Sequence, residues 1–137
     1  MPFILDSGFL YARLNEKDIN HEKVSSVSLS DSELIYLPVP AITEITFLLN
    51  RDLGIEAVAD FVQALSKTNV ICESPISEDY ARSAEILRKY NDNNIDFVDA
   101  CIVAMAERLN LSRILTVDRR HFSAFRPNHC DAFEILP

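Results

Sequence analysis

Glycine is scarce in this sequence, with Gly8 and Gly54 as its two glycines among 137 residues. Average usage of about 7% would give roughly ten. Neither glycine belongs to a G-x-G-x-x-G or G-x-x-x-x-G-K pattern. The sequence therefore argues against a nucleotide site built from a glycine-rich loop.

Cysteines and long apolar runs are also few. The three cysteines, Cys72, Cys101 and Cys130, are widely spaced and form neither a C-x-x-C metal pair nor an even disulfide framework. They predict reduced thiols in a cytoplasmic protein. The first residues carry no basic stretch and no small-residue cleavage site, and no apolar run approaches the roughly 18–20 residues that span a membrane. We expect neither a signal peptide nor a membrane span.

Basic residues are outnumbered, with 13 lysines and arginines against 21 acids and a formal net charge of −8. The overall field of such a protein does not attract nucleic acid, so a nucleic-acid partner requires a local basic patch or a metal ion. Hydrophobic residues make up 48% and charged residues 25% of the chain. Together with the length, this balance predicts a single soluble domain over residues 1–137.

Short apolar runs alternate with helical patterns along the chain. Strands are predicted at residues 3–5, 34–37, 70–72, 113–116 and 132–136. Helices are predicted at residues 9–12, 41–51, 54–65, 77–90 and 97–109, with a loop and a weak helix at 15–33. In the fourth of these helices Ser77 is the expected N-cap, and Tyr80, Ala84 and Leu87 form one stripe. This alternation predicts an α/β domain with a mainly parallel twisted sheet and helices on both faces.

Four acids stand in unusual positions. Asp6 and Asp118 each follow a predicted strand, at the end of a parallel sheet where ligands usually bind. Asp99 is the single charge in the apolar segment 97–106, and a lone buried carboxylate must be protonated, paired or bound to a metal. Helical geometry places Glu44 beside the apolar face of its helix.

Each acid also has a purely structural explanation. The alternatives are an N-cap for Asp6, an N-cap and N3 pair for Asp96 and Asp99, an ion pair with Arg51 for Glu44, and a turn for Asp118. If the four acids instead converge, they raise one another's pKa, and a divalent cation relieves the repulsion. Oxygen ligands suit Mg²⁺ or Mn²⁺, whereas His21, His121 and His129 lack zinc-site spacing. Such a site mainly serves phosphate chemistry.

The sequence resembles a PIN domain, specifically a VapC-type toxin ribonuclease. The matching segments are Phe3-Ile4-Leu5-Asp6-Ser7, residues 40–45 around Glu44, residues 98–109 beginning at Val98-Asp99, and residues 114–122 around Thr116 and Asp118. The last two are the most specific, and the resemblance spans nearly the whole chain except residues 15–33. It implies a parallel sheet flanked by helices.

The resemblance also implies a function and a site. Asp6, Glu44, Asp99 and Asp118 would line a Mg²⁺ or Mn²⁺ site that hydrolyses RNA, with Asp118 completing the pocket. Supporting roles fall to Ser7 and Thr116, which would orient the site, and to Asp96 as a cap. Arg51, Arg119 and Arg120 are candidates for RNA phosphate contacts. Family resemblance further suggests a homodimer and a VapB-like antitoxin as partner. A place in the dimer interface and a place in the core explain equally well the apolar character of Phe9, Tyr11 and residues 54–65.

Two other functions compete with the nuclease. A PIN-like module could bind RNA or a partner without cleavage, although the presence of all four acids argues against it. A phosphotransfer domain could also place an aspartate after its first strand. A dehalogenase-like enzyme requires a second aspartate at position 8, where Gly8 stands, and a receiver domain requires neighbouring acids at the first strand end. The sequence satisfies neither requirement.

Overall fold

The structure is a computed structural model that describes residues 2–137. Within these residues the strands are β1 (Phe3–Leu5), β2 (Ile35–Pro38), β3 (Ile71–Glu73), β4 (Arg113–Leu115) and β5 (Glu134–Leu136). The helices are α1 (Ser7–Leu14), α2 (His21–Ser25), α3 (Val39–Leu53), α4 (Ile55–Leu65), α5 (Ser77–Lys89), α6 (Phe97–Leu109) and α7 (Arg119–Ala124), and a 3-10 turn covers Asn91–Asn93.

The five strands form one parallel sheet in the order β3-β2-β1-β4-β5. Strand β1 lies at the centre, where Ile4 pairs with Tyr36 on one side and with Ile114 on the other. The strand order reverses between β1 and β4, which is the position where open parallel sheets bind their ligands. The carboxyl ends of β1 and β4 therefore lie side by side, and the predicted fold class is confirmed.

Apolar side chains cover both faces of the sheet. Successive strand residues point to opposite faces, so Ile4 joins the core beneath α6, whereas Phe3 and Leu5 join the core beneath α1 and α3. Helix α6 is buried continuously from Ala100 to Ala106. Phe9 and Tyr11 are buried as well, so they belong to the core and not to an open surface. No helix in residues 2–137 has the length and apolar character to cross a membrane.

Helix boundaries follow local residue chemistry. Pro38 ends β2, and Pro40 fits the first turn of α3, where its missing N–H costs nothing. Gly54, with a φ of 92°, separates α3 from α4 in a conformation that favours glycine. Asp96 caps α6, and Asn110 ends it in the left-handed region with a φ of 56°.

Helix α5 differs from its prediction. Its N-cap is Ile76 and not Ser77, because the Asp79 carboxylate accepts the Ile76 backbone N–H at 2.9 Å. The fully buried positions are Asp79, Ser83 and Ile86, while Tyr80 is 54% exposed. The predicted stripe is therefore wrong at Tyr80, whereas Leu87 does pack against the core. Asp79 is buried because it pairs with Arg108 of α6 at 2.9 Å, an attraction that hydrophobic spacing does not report.

Candidate active site

Asp6 directly follows the central strand. Its backbone N–H donates to the carbonyl of Leu115 at 2.9 Å, which continues the β1–β4 ladder. Its Oδ1 accepts the backbone N–H of Ser7 at 2.8 Å, so Asp6 is the N-cap of α1. The carboxylate is buried at 6% exposure. The capping role considered for Asp6 is confirmed, but it uses one of the two carboxylate oxygens.

Thr116 joins Asp6 to Asp118. Its Oγ1 donates to Oδ2 of Asp6 at 2.6 Å and accepts the backbone N–H of Asp118 at 2.9 Å. Thr116 follows β4 and is buried. Because β1 and β4 are neighbours in the sheet, residues more than a hundred positions apart in sequence meet at this edge.

Glu44 reaches the same edge from α3. Ser7 donates its Oγ–H to Oε1 of Glu44, and the Ser7 backbone N–H donates to Asp6. Ser7 thereby holds two carboxylates together. The alternative ion pair between Glu44 and Arg51 is wrong, because Arg51 instead pairs with Asp52 at 2.8 Å.

Asp99 lies in the first turn of α6. The backbone N–H of Asp99 donates to Oδ1 of Asp96 at 3.0 Å, and the Asp96 N–H donates to Oδ2 of Asp99 at 3.2 Å. This reciprocal pair is a capping box, which confirms the N-cap prediction for Asp96. Asp99 is nevertheless half-buried and close enough to Asp6 for the two negative charges to interact.

Burial and mutual repulsion shift two of these acids. Burial is the largest cause that raises the pKa of Asp6 to about 6, and the charges of Glu44 and Asp118 raise it further against the hydrogen bonds from Thr116 and Ser7. Burial also raises the pKa of Asp99 to about 7, with additional repulsion from Asp96 and Asp6. The structure thus brings all four predicted acids to one edge of the sheet.

Positive charge does not balance the cluster. In the part of the chain that the structure describes, no lysine or arginine forms an ion pair with the four acids. Hard oxygen donors without a cationic partner suit Mg²⁺ or Mn²⁺. Among residues 2–137, no group of three or more acid, histidine or cysteine side chains is already arranged to hold a metal ion. The donor chemistry fits a hard divalent cation.

His121 is a site residue that the sequence did not predict. The sequence showed only that its spacing does not match a zinc site. Its ring Nδ1 donates to Oδ2 of Asp118 at 2.6 Å, and its backbone N–H donates to Oδ1 at 3.1 Å. Asp118 is therefore the N-cap of α7, a short helix that the sequence reading did not predict. The three-residue spacing from acid to histidine was the available signal.

The three arginine candidates have different surroundings. Arg51 forms a two-bond pair with Asp52, and Arg119 donates to the carbonyl of Ile135 at 2.9 Å and to that of Pro137 at 2.7 Å. Arg120 is exposed and lines a polar pocket next to His121. Arg120 thus keeps its guanidinium available for a ligand.

Comparison with known proteins gives consistent matches. A family model described as the PIN domain matches residues 3–126. Ribonuclease VapC26 of Mycobacterium tuberculosis is 28% identical over 134 residues, which is 98% of this chain and 99% of the relative.

Solved structures show the same fold. VapC20 of Mycobacterium tuberculosis, described as a sarcin–ricin loop cleaving toxin, has a TM-score of 0.75 at 21% identity, covering 82% of this chain and 86% of that one. VapBC2 from Rickettsia felis, solved bound to a DNA fragment from its promoter, has a TM-score of 0.72 at 13% identity with both chains fully covered. The parallel sheet and its acidic edge define a PIN-like fold. Since the family model covers most of the chain, this protein belongs to the PIN domain family, as the sequence predicted.

Proposed function

We propose that this protein is a Mg²⁺- or Mn²⁺-dependent endoribonuclease that hydrolyses RNA phosphodiesters and acts as the toxin of a VapBC-type pair. The observation that carries the proposal is a continuous hydrogen-bonded chain at the carboxyl edge of the sheet. It runs from Glu44 through Ser7, Asp6 and Thr116 to Asp118. The similarity to a protein named Ribonuclease VapC26 supports the same function.

The carboxylates have distinct tasks in the proposed mechanism. Asp6, Glu44 and Asp99 would hold the cation, and Asp118 would complete the acidic pocket. A bound divalent ion supplies charge neutralisation at the phosphodiester and lowers the pKa of an attacking water. Ser7 and Thr116 keep the carboxylates oriented, because each of these residues contacts two parts of the hydrogen-bonded chain. His121 fixes the orientation of Asp118.

The net charge of −8 is compatible with an RNA substrate under this mechanism. A cation at the acidic edge bridges the carboxylates and the phosphate, so the overall field need not attract RNA. Of the three arginine candidates, Arg120 has the free guanidinium that a phosphate contact requires. Arg51 and Arg119 remain candidates, but each must first leave its present partner.

A VapB-like antitoxin and a second copy of this chain are the proposed partners. Solved neighbours that are VapBC complexes, such as the one from Salmonella typhimurium bound to DNA, support the antitoxin. An open apolar surface supports the homodimer, since Phe47 is 66% and Phe97 42% exposed beside Glu44, and Tyr80 stacks on Phe97 with ring centroids 6.2 Å apart. A cytoplasmic location agrees with the free thiols of the three cysteines.

Cleavage of an RNA pool tests the nuclease function. Purified protein is incubated with the pool and Mn²⁺, and the new RNA ends are mapped for wild type, Asp99→Asn and Asp60→Asn. We expect cleavage by wild type and by the Asp60→Asn control, whose exposed carboxylate lies on α4, and none by Asp99→Asn. RNA binding with no metal-dependent cleavage by wild type would instead establish the alternative, a non-catalytic PIN-like binding module.

A further inference from the structure

A polar pocket of about 440 Å³ opens next to the acidic edge. Its two walls are the connection between α5 and α6 and the outer side of α7. The lining residues are Asp92, Asn93, Asn94, Arg120, His121 and Ala124. Pockets of this size are typical of small-molecule and cofactor sites.

Both walls of the pocket are fixed by Tyr90. The Tyr90 hydroxyl accepts the backbone N–H of Arg126 at 2.9 Å, and its ring packs edge-on against Phe125 with centroids 4.9 Å apart. The Tyr90 carbonyl accepts the N–H of Asn93 at 2.9 Å. One residue therefore ties the 3-10 turn to the segment that follows α7, so the pocket is already formed without a ligand.

His121 connects the pocket to the acidic edge. It lines the pocket while its ring Nδ1 donates to Asp118 at 2.6 Å. A ligand in the pocket therefore lies one residue away from the proposed catalytic carboxylates. On the other wall, Asn94 is followed within two residues by Asp96, the cap of α6.

The pocket offers one cation and several groups that recognise a base edge. Among residues 2–137 the Arg120 side chain forms no ion pair and no hydrogen bond with the protein, so its guanidinium is free for a phosphate. Asn93 and Asn94 each carry an amide that donates and accepts hydrogen bonds, and Asp92 accepts them. This mixture of groups differs from a simple basic patch, which would bind phosphates without reading bases.

We infer that this pocket binds one unpaired nucleotide of the RNA beside the scissile phosphodiester and thereby selects the cleavage sequence. The inference rests on the proposed ribonuclease function and assigns it a specificity site. Arg120 contacts the phosphate of that nucleotide, while the 92–94 turn reads the edge of its base. RNA is usually recognised through unpaired bases whose edges are open to hydrogen bonding.

The carboxylate of Asp92 determines which bases fit. Adenine, cytosine and guanine carry an exocyclic amino group that can donate to this acceptor, whereas uracil offers its ring N3–H alone, between two carbonyl oxygens that repel a carboxylate. Uracil is therefore the disfavoured base in the pocket. The asparagine amides can add a paired donor and acceptor contact to the same edge.

The test maps cleavage of a random RNA pool by wild type, Asp92→Asn, Asn93→Ala and Arg120→Ala in the presence of Mn²⁺. We expect uracil to be depleted at one position next to the cut in wild type, and the depletion to be lost in Asp92→Asn and weakened in Asn93→Ala. Arg120→Ala should raise KM about tenfold with little change in kcat, and Arg120→Lys should recover part of the loss. Arg88→Ala, an exposed arginine on α5, is the matched control and should match wild type.

Two outcomes of the cleavage test overturn the inference and the function separately. Suppose that cleavage requires Asp99 and that all the pocket variants give the same end profiles and KM values. This result overturns the proposed role of the pocket and leaves the nuclease function intact. Equal cleavage by wild type and Asp99→Asn overturns the nuclease instead.

If the nuclease function fails in this way, an NMR titration in the absence of metal tests nucleotide binding in the pocket directly. AMP should shift the side-chain amide signals of Asn93 and Asn94 in wild type more than UMP does, and Arg120→Ala should reduce the shifts. Absence of such shifts in the wild-type protein overturns the inference. Circular dichroism melting of every variant separates loss of binding from loss of fold.

Discussion

Thr116 donates its hydroxyl to Oδ2 of Asp6 at 2.6 Å, across the junction between the two central strands. The hydroxyl oxygen of Thr116 also accepts the backbone N–H of Asp118 at 2.9 Å. One buried hydroxyl therefore satisfies the Asp6 carboxylate and fixes the backbone on which Asp118 stands. Substitutions of Thr116 therefore test whether its hydroxyl orients the acids at this edge of the sheet.

Thr116→Val should lower RNA cleavage about 10–100-fold, the usual effect of losing a group that orients metal ligands. It should also lower the free energy of unfolding by about 1–3 kcal/mol, because a buried acceptor on Asp6 and a donor on Asp118 lose their partner. Thr116→Ser keeps the hydroxyl and should retain most of the activity. Cleavage assays and urea denaturation measure both effects. Equal activity in the Val and Ser variants would contradict the orienting role.

Asp6→Asn should make the metal-free protein more stable at neutral pH. The pKa of Asp6 is about 6 in the folded protein and 3.8 ordinarily. Folding therefore favours the protonated form, so the stability that this group contributes is present below pH 4 and lost as the pH rises through 6. At pH 7 the loss amounts to at most about 3 kcal/mol, and the neutral amide avoids it.

Thermal melting in EDTA between pH 4 and pH 7 measures this effect. The advantage of Asp6→Asn over wild type should grow as the pH rises and should vanish near pH 4. Asp60→Asn, which removes an exposed carboxylate, should follow wild type throughout. A variant that is less stable than wild type at pH 7 would show that Asp6 is not destabilised by its ionisation.

Mn²⁺ should raise the melting temperature of wild type and have little effect on Asp6→Asn or Asp99→Asn. Binding to the folded state stabilises it by about 2.7 kcal/mol when the ion is present at 100 times its Kd. The acidic edge is the proposed site, so removing one of its carboxylates weakens the effect. A scanning fluorimetry titration with Mn²⁺ measures the shift, and EDTA should reverse it. An identical shift in all three proteins would place the ion elsewhere.

Gly8→Ala should be more favourable in a Val117→Ala background than in wild type. A Cβ built on Gly8 lies 3.1 Å from Cγ2 of Val117, so the added methyl presses α1 against the segment between Thr116 and Asp118. Alanine is otherwise preferred over glycine in a helix by about 1 kcal/mol. A double-mutant cycle measured by denaturation should give a coupling of about 0.5–1 kcal/mol. Additive effects would show that α1 adjusts freely.

Arg108→Ala should destabilise the fold by about 3–5 kcal/mol, because it leaves the carboxylate of Asp79 buried without its partner. Asp79 is 2% exposed and contacts the Arg108 Nε at 2.9 Å. The pair lies away from the acidic edge, so the folded fraction should keep the wild-type kcat. Arg88→Ala, which removes an exposed arginine, should cost little. Denaturation and cleavage assays at low temperature together check this prediction. A loss of less than about 1 kcal/mol in the free energy of unfolding of Arg108→Ala would contradict it.

The sequence predicted the elements whose residues carry a strong local signal. The helix at residues 97–109 and the strand at 3–5 have their predicted bounds, because Asp96 supplies a capping box and Phe3-Ile4-Leu5 is a uniformly apolar run. The predicted apolar stripe of α5 was wrong at Tyr80, and the buried face of the helix contains Asp79 instead. A charged residue is assigned to the surface by any hydrophobic pattern, and only the folded chain places Arg108 beside it.

The sequence by itself determined the parallel α/β fold, the four acids and the family, because strand ends, apolar helices and motif spacing are local properties. Only the tertiary structure decided that β1 and β4 are neighbours and that Ser7 and Thr116 link the acids into one chain. It also placed His121 against Asp118 and opened the pocket between the 92–94 turn and α7. These features depend on contacts between residues distant in sequence, and such contacts leave no periodic trace in the chain.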